Sequence, residues 1–117
     1  MLNIASPSEL VKTVGFAHTA ATVARTPLLI GGLLMIPINT AAANEHNAFA
    51  YETEVDNAAC NSAAWAVNAP IYFDATAGEL TNTAGSNAFF GYALQPKAEG
   101  VTSSPLVAFN SYFTAPA

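Results

Sequence analysis

The sequence predicts an all-β protein, a small barrel or sandwich of seven or eight short strands. Apolar and aromatic runs recur from Pro27 onward at a spacing of about 8 to 12 residues, which is typical of such folds. Turn-forming residues separate the runs at Gly31-Gly32, Asp74 to Gly78 and Gly85 to Asn87. One run, Ala48 to Val55, alternates apolar and polar residues as a half-buried strand does.

The individual strands can be justified in chain order. The strand-prone segments are Pro27–Pro37, Ala48–Val55, Trp65–Val67, Ile71–Phe73, Leu80–Thr81, Ala88–Gln95 and Leu106–Phe113. Gly31-Gly32 breaks the first segment as a hairpin turn or a bulge. In the second segment, Glu52 and Glu54 share one face, and we expect both acids to lie in solvent.

The N-terminal segment, residues 1–26, differs from the predicted barrel domain, residues 27–117. Ser6 to Glu9 has the pattern of a helix start, with Ser6 as cap and Pro7 in the first position. Leu10, Val11 and Val14 follow as a modest apolar face that Gly15 ends. The segment is therefore either a short helix or turn, or an extended arm that becomes ordered on a partner.

The charge content restricts the possible partners. The chain has 117 residues, enough for one domain, and 9% of them are charged, where about 25% is usual. Its net charge is −5, and its fixed cations are Lys12, Arg25 and Lys97, which argues against nucleic acid. Sparse charge suits a surface pressed against copies of itself or another protein. The alternative is a weakly charged monomer.

Membrane insertion and export are not expected. The most apolar stretch, Leu28 to Ile38, contains two glycines and a proline and is shorter than the roughly 20 residues of a spanning helix. The N-terminus has neither a basic region nor a signal-peptide apolar core. We therefore expect a cytosolic product without a sorting signal.

The potentially reactive residues form no recognisable catalytic, cofactor or metal site. Cys60, His18 and His46 do not have zinc-site spacing, and no base or cation adjoins Cys60. We expect Cys60 to be a small buried or semi-buried residue. Asp74 precedes a turn and is expected to accept a backbone hydrogen bond there. No catalytic residue, cofactor or metal is predicted.

Adjacent aromatic residues in the C-terminal half pose a packing question. Neighbours such as Phe89 and Phe90 must point to opposite faces of a strand. Either both faces of the sheet are covered within one domain, or one face packs on another subunit.

The order of these motifs resembles that of a family of small bacteriophage proteins, DUF2190, associated with capsid decoration, or cement. The residues that carry the resemblance are Gly31-Gly32-Leu33, the Phe49–Val55 strand, Trp65-Ala66, Pro70–Ala75, Gly78–Thr83 and Phe90–Ala93. The resemblance extends from about Leu28 to Ala93. Asn68 to Pro70 stands where the family often has Gly-Asp, and Phe73 where Trp is common.

The resemblance implies a homotrimeric β-barrel or β-tulip-like protein on the outer surface of an icosahedral phage head. It would bridge subunits of the major capsid protein, and a protein with that role needs no catalytic group. The N-terminal segment and nearby loops are the expected capsid contacts. The residues predicted for that contact are Leu10, Val11, Phe16, His18 and Arg25.

Two other classes of function remain open from the sequence. The same fold and composition suit another virion role, such as a head fibre base, a tail protein or an adhesion module. A small enzyme would have to use Glu45, His46 or Asp74.

Overall fold

A computed structural model describes residues 2–5 and 11–116, and these residues form nine strands. The strands are β1 (Asn3–Ile4), β2 (Lys12–Ala17), β3 (Leu28–Ile30), β4 (Leu33–Pro37), β5 (His46–Asp56), β6 (Pro70–Asp74), β7 (Glu79–Thr81), β8 (Ala88–Ala93) and β9 (Val107–Asn110). No helix occurs in these two described ranges. The all-β class is confirmed, and seven of the nine strands lie beyond Thr26.

All nine strands belong to one antiparallel sheet that curls into a half-barrel. The strand order is β3-β4-β5-β9-β8-β6-β7, and β1 and β2 pair with β5 outside this path. The curl brings the inner faces of the strands around one apolar core. The two ends of the path, at β3 and β7, do not pair with each other.

Strand β5 pairs with four other strands. Its residue Glu52 pairs with Lys12 of β2 on one side and with Asn110 of β9 on the other. Further along the β9 edge, Ala50 pairs with Ile36 of β4. On the β2 edge, β1 takes over at the end of β5. Each edge of β5 therefore holds two partners in succession, so the sheet divides into branches around this strand.

The predicted alternation of β5 is confirmed at its C-terminal end, where Thr53 and Val55 are buried and Glu54 is exposed. At Tyr51 the pairing with β2 shifts by one residue, as in a β-bulge. Beyond this shift, Phe49 and Ala50 are both buried, so β5 is covered on both faces there.

The β3–β4 hairpin has the two-residue turn that the sequence allowed. Ile30 pairs with Leu33 across Gly31 and Gly32, whose φ angles are 59° and 85°. Glycine adopts this left-handed conformation without steric cost, and two such residues are typical of a type I′ turn. Of the two interpretations of Gly31-Gly32, the structure confirms the hairpin turn and not the bulge.

The β6–β7 hairpin is also confirmed. The Asp74 carboxylate accepts hydrogen bonds from the backbone N–H groups of Thr76 (3.0 Å) and Ala77 (3.1 Å). Asp74 therefore has the turn role predicted for it.

The core lies against the concave face of the sheet. Its centre is the contact between Phe90 and Phe109, whose ring centroids are 4.7 Å apart. Other fully buried members are Ile36, Val55, Ile71, Leu80 and Val107. One strand prediction was wrong: Trp65–Val67 forms no strand. Trp65 makes only an isolated bridge to Lys97, because the chain turns after it, where the Ala69 N–H donates to the Ala66 carbonyl at 3.1 Å.

The described part of the N-terminal segment contains the strands β1 and β2, and residues 18–26 follow as a loop. Lys12 to Ala17 is a strand of the sheet, so the helix prediction was wrong for Val14 and Gly15. Cross-strand pairing with β5 here replaces the local hydrogen bonds of a helix. The proposed helix start, Ser6–Leu10, lies outside the described residues. The domain boundary near Thr26 stays a prediction.

Gly91 offers a test of how closely the strands approach. A Cβ atom at Gly91 would collide with the backbone carbonyl of Ala108, whereas one at Gly15 would meet the His46 side chain at 2.9 Å. Backbone cannot move aside as an exposed side chain can. We expect Gly91→Ala to lower the free energy of unfolding by about 3 kcal/mol or more, and Gly15→Ala by about 1 kcal/mol or less. Urea denaturation checks both, and equal losses would contradict the packing described.

Candidate functional site

A row of aromatic side chains lies on the face of the sheet opposite the core, and we call it the outer aromatic face. It consists of Tyr72, Phe89, Tyr92 and Phe113. Tyr72 points away from the core because its neighbours Ile71 and Phe73 belong to the core. Successive ring centroids are 5.4, 5.3 and 5.7 Å apart, at tilted or edge-to-face angles. Such contacts stabilise the rings against each other.

The outer aromatic face is partly covered by the chain itself. Tyr72 is buried within it, while Phe113 is 40% exposed. Tyr112, which contacts Tyr51 at 5.5 Å, is 60% exposed. Each of the two alternatives for the adjacent aromatic residues therefore has support. Rings of the same chain cover one end of the row, as expected for coverage within one domain. The C-terminal end leaves apolar surface exposed, as expected for packing on another subunit.

An open groove separates the β3–β4 hairpin from the β6–β7 hairpin. It has two adjoining cavities of about 380 and 200 Å³, both bordered by Thr26, Pro27, Phe73 and Gly78. Leu28, Leu29 and Leu34 complete the hairpin side of the larger cavity. The groove is where the ends of the strand path fail to close the barrel, and its walls are mostly apolar.

Arg25 lies beside this groove and lines its smaller cavity. Its φ angle of 61° is unusual for a residue other than glycine, and its backbone N–H donates to the Pro37 carbonyl at 2.8 Å. The side chain is exposed, and no ion pair with it occurs in the described part of the chain. Of the other fixed cations, Lys12 pairs with Glu52 at 3.4 Å and Lys97 is buried.

Two of the other predicted capsid-contact residues take part in packing. Val11 is half-buried and packs against the core. The Phe16 ring stacks on Phe49 with a centroid distance of 4.4 Å. Leu10 lies outside the described residues. Phe16 and Val11 thus anchor the N-terminal segment to the sheet, and their contact with a capsid stays a prediction.

His18 follows β2 in a loop that other loop residues hold. Its carbonyl accepts a hydrogen bond from the Asn44 N–H at 2.7 Å, and its Nδ1 lies 3.2 Å from the Ala20 N–H. Arg25 approaches the same strands, because its partner Pro37 pairs with Phe49 beneath Phe16. The structure therefore places Phe16 and Arg25 against adjacent strands, while Val11 lies at the opposite end of β2.

The residues considered for catalysis are dispersed. His46 is exposed at the start of β5, and the Glu45 carboxylate accepts a hydrogen bond from the Ala42 N–H at 2.6 Å. Cys60 is buried as predicted, and burial raises the pKa of its thiol although the Lys97 charge acts in the opposite direction. In residues 2–5 and 11–116, no group of three or more His, Cys, Asp or Glu residues is placed to hold a metal ion.

A buried lysine ties the loops together, and sequence reasoning missed it. The Lys97 ammonium donates hydrogen bonds to the carbonyls of Asn61 (2.9 Å), Val101 (2.8 Å) and Ala63, and lies 4.6 Å from the centroid of the Trp65 ring. We call this arrangement the Lys97 clasp. Its partners are backbone carbonyls, which every residue carries, so the sequence holds no signal for it. The clasp orders loops and gives no indication of catalysis.

The described residues thus form an all-β protein with apolar surfaces at one sheet face and one open groove. No helix in the described ranges is long and apolar enough to cross a membrane. The chain belongs to the phage cement protein family, whose model matches residues 5–109. No curated protein and no solved structure matches the chain. The resemblance to phage cement proteins is therefore confirmed, and the family implies a structural component that associates with the phage capsid.

Replacing Lys97 tests the clasp. In Lys97→Met, three carbonyls lose a charged donor, and the methionine in its buried place has no N–H to replace it. Each unsatisfied buried acceptor costs about 1 kcal/mol or more, so we expect the free energy of unfolding to fall by about 3 kcal/mol or more. The matched control is Lys12→Met, whose exposed ion pair contributes at most about 1 kcal/mol. Chemical denaturation followed by Trp65 fluorescence gives both values; similar losses would contradict the clasp.

Cys60 provides a pH-dependent test. Because burial raises its pKa, the folded protein holds the thiol proton more tightly than the unfolded chain does. This contribution to stability is complete below the unfolded pKa and is lost as the pH rises through the folded pKa. We expect iodoacetamide to alkylate Cys60 slowly in the folded protein at pH 8 and fast in denaturant. Equal rates by mass spectrometry would show that the thiol is accessible.

Proposed function

We propose that this protein decorates the outer surface of an icosahedral phage head as a homotrimer and bridges subunits of the major capsid protein. The observation that carries the proposal is the family match over residues 5–109. A cement protein acts by adding contacts between subunits, and this action requires binding surfaces rather than reactive groups.

The surface composition supports this role. Only 9% of the residues are charged, and interface cores are depleted in Lys, Glu and Asp. Large apolar side chains remain more than one-third exposed at several places, including Val23, Leu29, Leu94, Val101 and Tyr112. Covering these side chains removes little charge from water. A protein that touches several capsid subunits at once also gains avidity from individually weak contacts.

The outer aromatic face supports self-association. Tyr and Phe are enriched at protein interfaces, and the end of the face near Tyr112 and Phe113 is exposed. The rings there already contact Tyr51 and Tyr92, so association would order few additional side chains. We infer that this end of the face is covered in the trimer.

The capsid contact is proposed for the N-terminal segment and neighbouring loops. Candidates outside the paired strands are suited to testing, since Phe16 also covers Phe49. Removing residues 1–26 would delete β2, which pairs with β5. A loss of capsid binding could then not be distinguished from a loss of folding. A substitution at His18, in the loop after β2, leaves the paired strand intact.

The proposal is tested by adding the purified protein to heads that lack it. We expect bound copies to approach the number of local threefold positions, and the heads to withstand higher temperature before losing DNA. In solution, light scattering after size-exclusion chromatography should give about three times the chain mass of 12.1 kDa. A few copies per particle would instead indicate a fibre base or tail role, and no binding to heads would overturn the proposal.

Replacing His18 tests the contribution of the N-terminal segment. We expect His18→Asp to weaken head binding about tenfold, which corresponds to about 1.4 kcal/mol. The control is Glu99→Ala, an exposed residue in the loop before β9, which should bind as the unaltered protein does. Occupancy is measured by quantitative mass spectrometry of purified particles. Unchanged occupancy with His18→Asp would remove this residue from the contact.

A further inference from the structure

Within residues 2–5 and 11–116, the edge of β3 carries an unpaired peptide group. In the β3–β4 hairpin the pairs Ile30–Leu33 and Leu28–Met35 flank the pair Leu29–Leu34. In an antiparallel ladder next to a two-residue turn, the residues beside the turn exchange hydrogen bonds and those of the following pair do not. The N–H and C=O of Leu29 therefore point away from β4, and no residue of the described chain bonds to them.

This edge faces the open groove. Leu29 lines the larger cavity, and its side chain is 54% exposed. Across the groove stand Phe73 and Asp74 of β6 and the turn residues that follow them. The other end of the strand path is shielded, because Leu80 of β7 exchanges hydrogen bonds with the backbone of Ala59 and Asn61. Among the described residues, β3 is thus the end of the path that remains open for strand addition.

The dimensions of the groove suit a short extended chain. A strand of three residues offers an edge of about 10 Å at 3.4 Å per residue. The larger cavity, at about 380 Å³, lies in the range of roughly 300 to 1,000 Å³ that binding sites usually occupy. The lining is apolar on the β3 side, and the Asp74 carboxylate opposite is already engaged by its own turn.

Arg25 indicates that a segment bound in the groove should carry a negative charge. It lines the adjoining cavity and has no acidic partner in the described residues. It is held there by a left-handed backbone conformation. A residue kept in such a conformation beside an open cavity favours a role in binding. A partner segment with a carboxylate would be complementary to the Arg25 charge at this point.

We propose that the free edge of β3 accepts an extended, mainly apolar segment of a capsid subunit, which pairs with Leu29, closes the half-barrel and places a carboxylate side chain near Arg25. This inference rests on the proposed function and specifies one contact through which it is carried out. Main-chain pairing supplies affinity, and the apolar groove and Arg25 select the segment.

Two substitutions at Leu29 distinguish the contribution of its backbone N–H to binding from that of its side chain. Leu29→Pro removes the outward N–H, which no described residue uses, and proline is tolerated on strand edges. Leu29→Ala keeps the N–H and shortens the side chain. We expect Leu29→Pro to bind heads at least tenfold more weakly than Leu29→Ala, with thermal unfolding midpoints within a few degrees of each other. Arg25→Gln, which leaves the strand unchanged, should also weaken binding severalfold.

Hydrogen exchange of the unaltered protein gives a readout that does not depend on variants. The amide of Leu29 should exchange fast in the isolated protein and at least tenfold more slowly on heads. If the unaltered protein binds heads but this amide stays unprotected and Leu29→Pro binds normally, the inference is overturned and the proposed function stands. If the amide is protected in the free protein, and Leu29→Pro dissociates its oligomer, the occupant is a second copy and the inference is also overturned. Failure of the unaltered protein to bind heads would overturn the proposed function itself.

Discussion

Pairing along the eleven residues of β5 is the constraint on which the rest of the sheet depends. Four strands take their register from it, two along each edge. Because the partner changes along each edge of β5, the sheet branches at this strand. The bulge at Tyr51 adds local twist at this point. The half-barrel, the enclosed core and the separation of the two hairpins follow from this one strand.

The connections are held by different means from the strands. The segment from Asn57 to Ala69 contains no strand, and the carbonyls of Asn61 and Ala63 instead converge on the Lys97 ammonium. The arrangement costs desolvation of a charge, which three carbonyl dipoles and the Trp65 ring offset. In a protein with few charges, one of its three cations is thus used to order loops. That leaves Arg25 as the exposed cation without an acidic partner in the described residues.

Sparse charge, exposed aromatics and an open sheet edge would be a liability for an isolated monomer. In a protein that associates with a capsid the same features supply contact area, since the particle provides the missing neighbours. The outer aromatic face and the open groove share strands β6 and β8, but neighbouring residues such as Tyr72 and Phe73 point to opposite faces of the sheet, so the proposed self-association and capsid binding need not compete. The polar surface is made largely of short Asn, Ser and Thr side chains, which lose little conformational entropy when covered.

The sequence by itself determined the strands and turns whose signals are local. Gly31-Gly32 and Asp74 specify hairpins through their own backbone preferences, the alternation around Thr53 and Val55 specifies a buried face, and the ordered motifs indicated the family. The secondary structure of Val14 and Gly15 was decided by the tertiary structure, because pairing with β5 outweighs a weak helical pattern. The Lys97 clasp and the free edge of β3 also needed the fold. Both arise from backbone groups, which the sequence does not distinguish until long-range pairing has determined which of them remain unpaired.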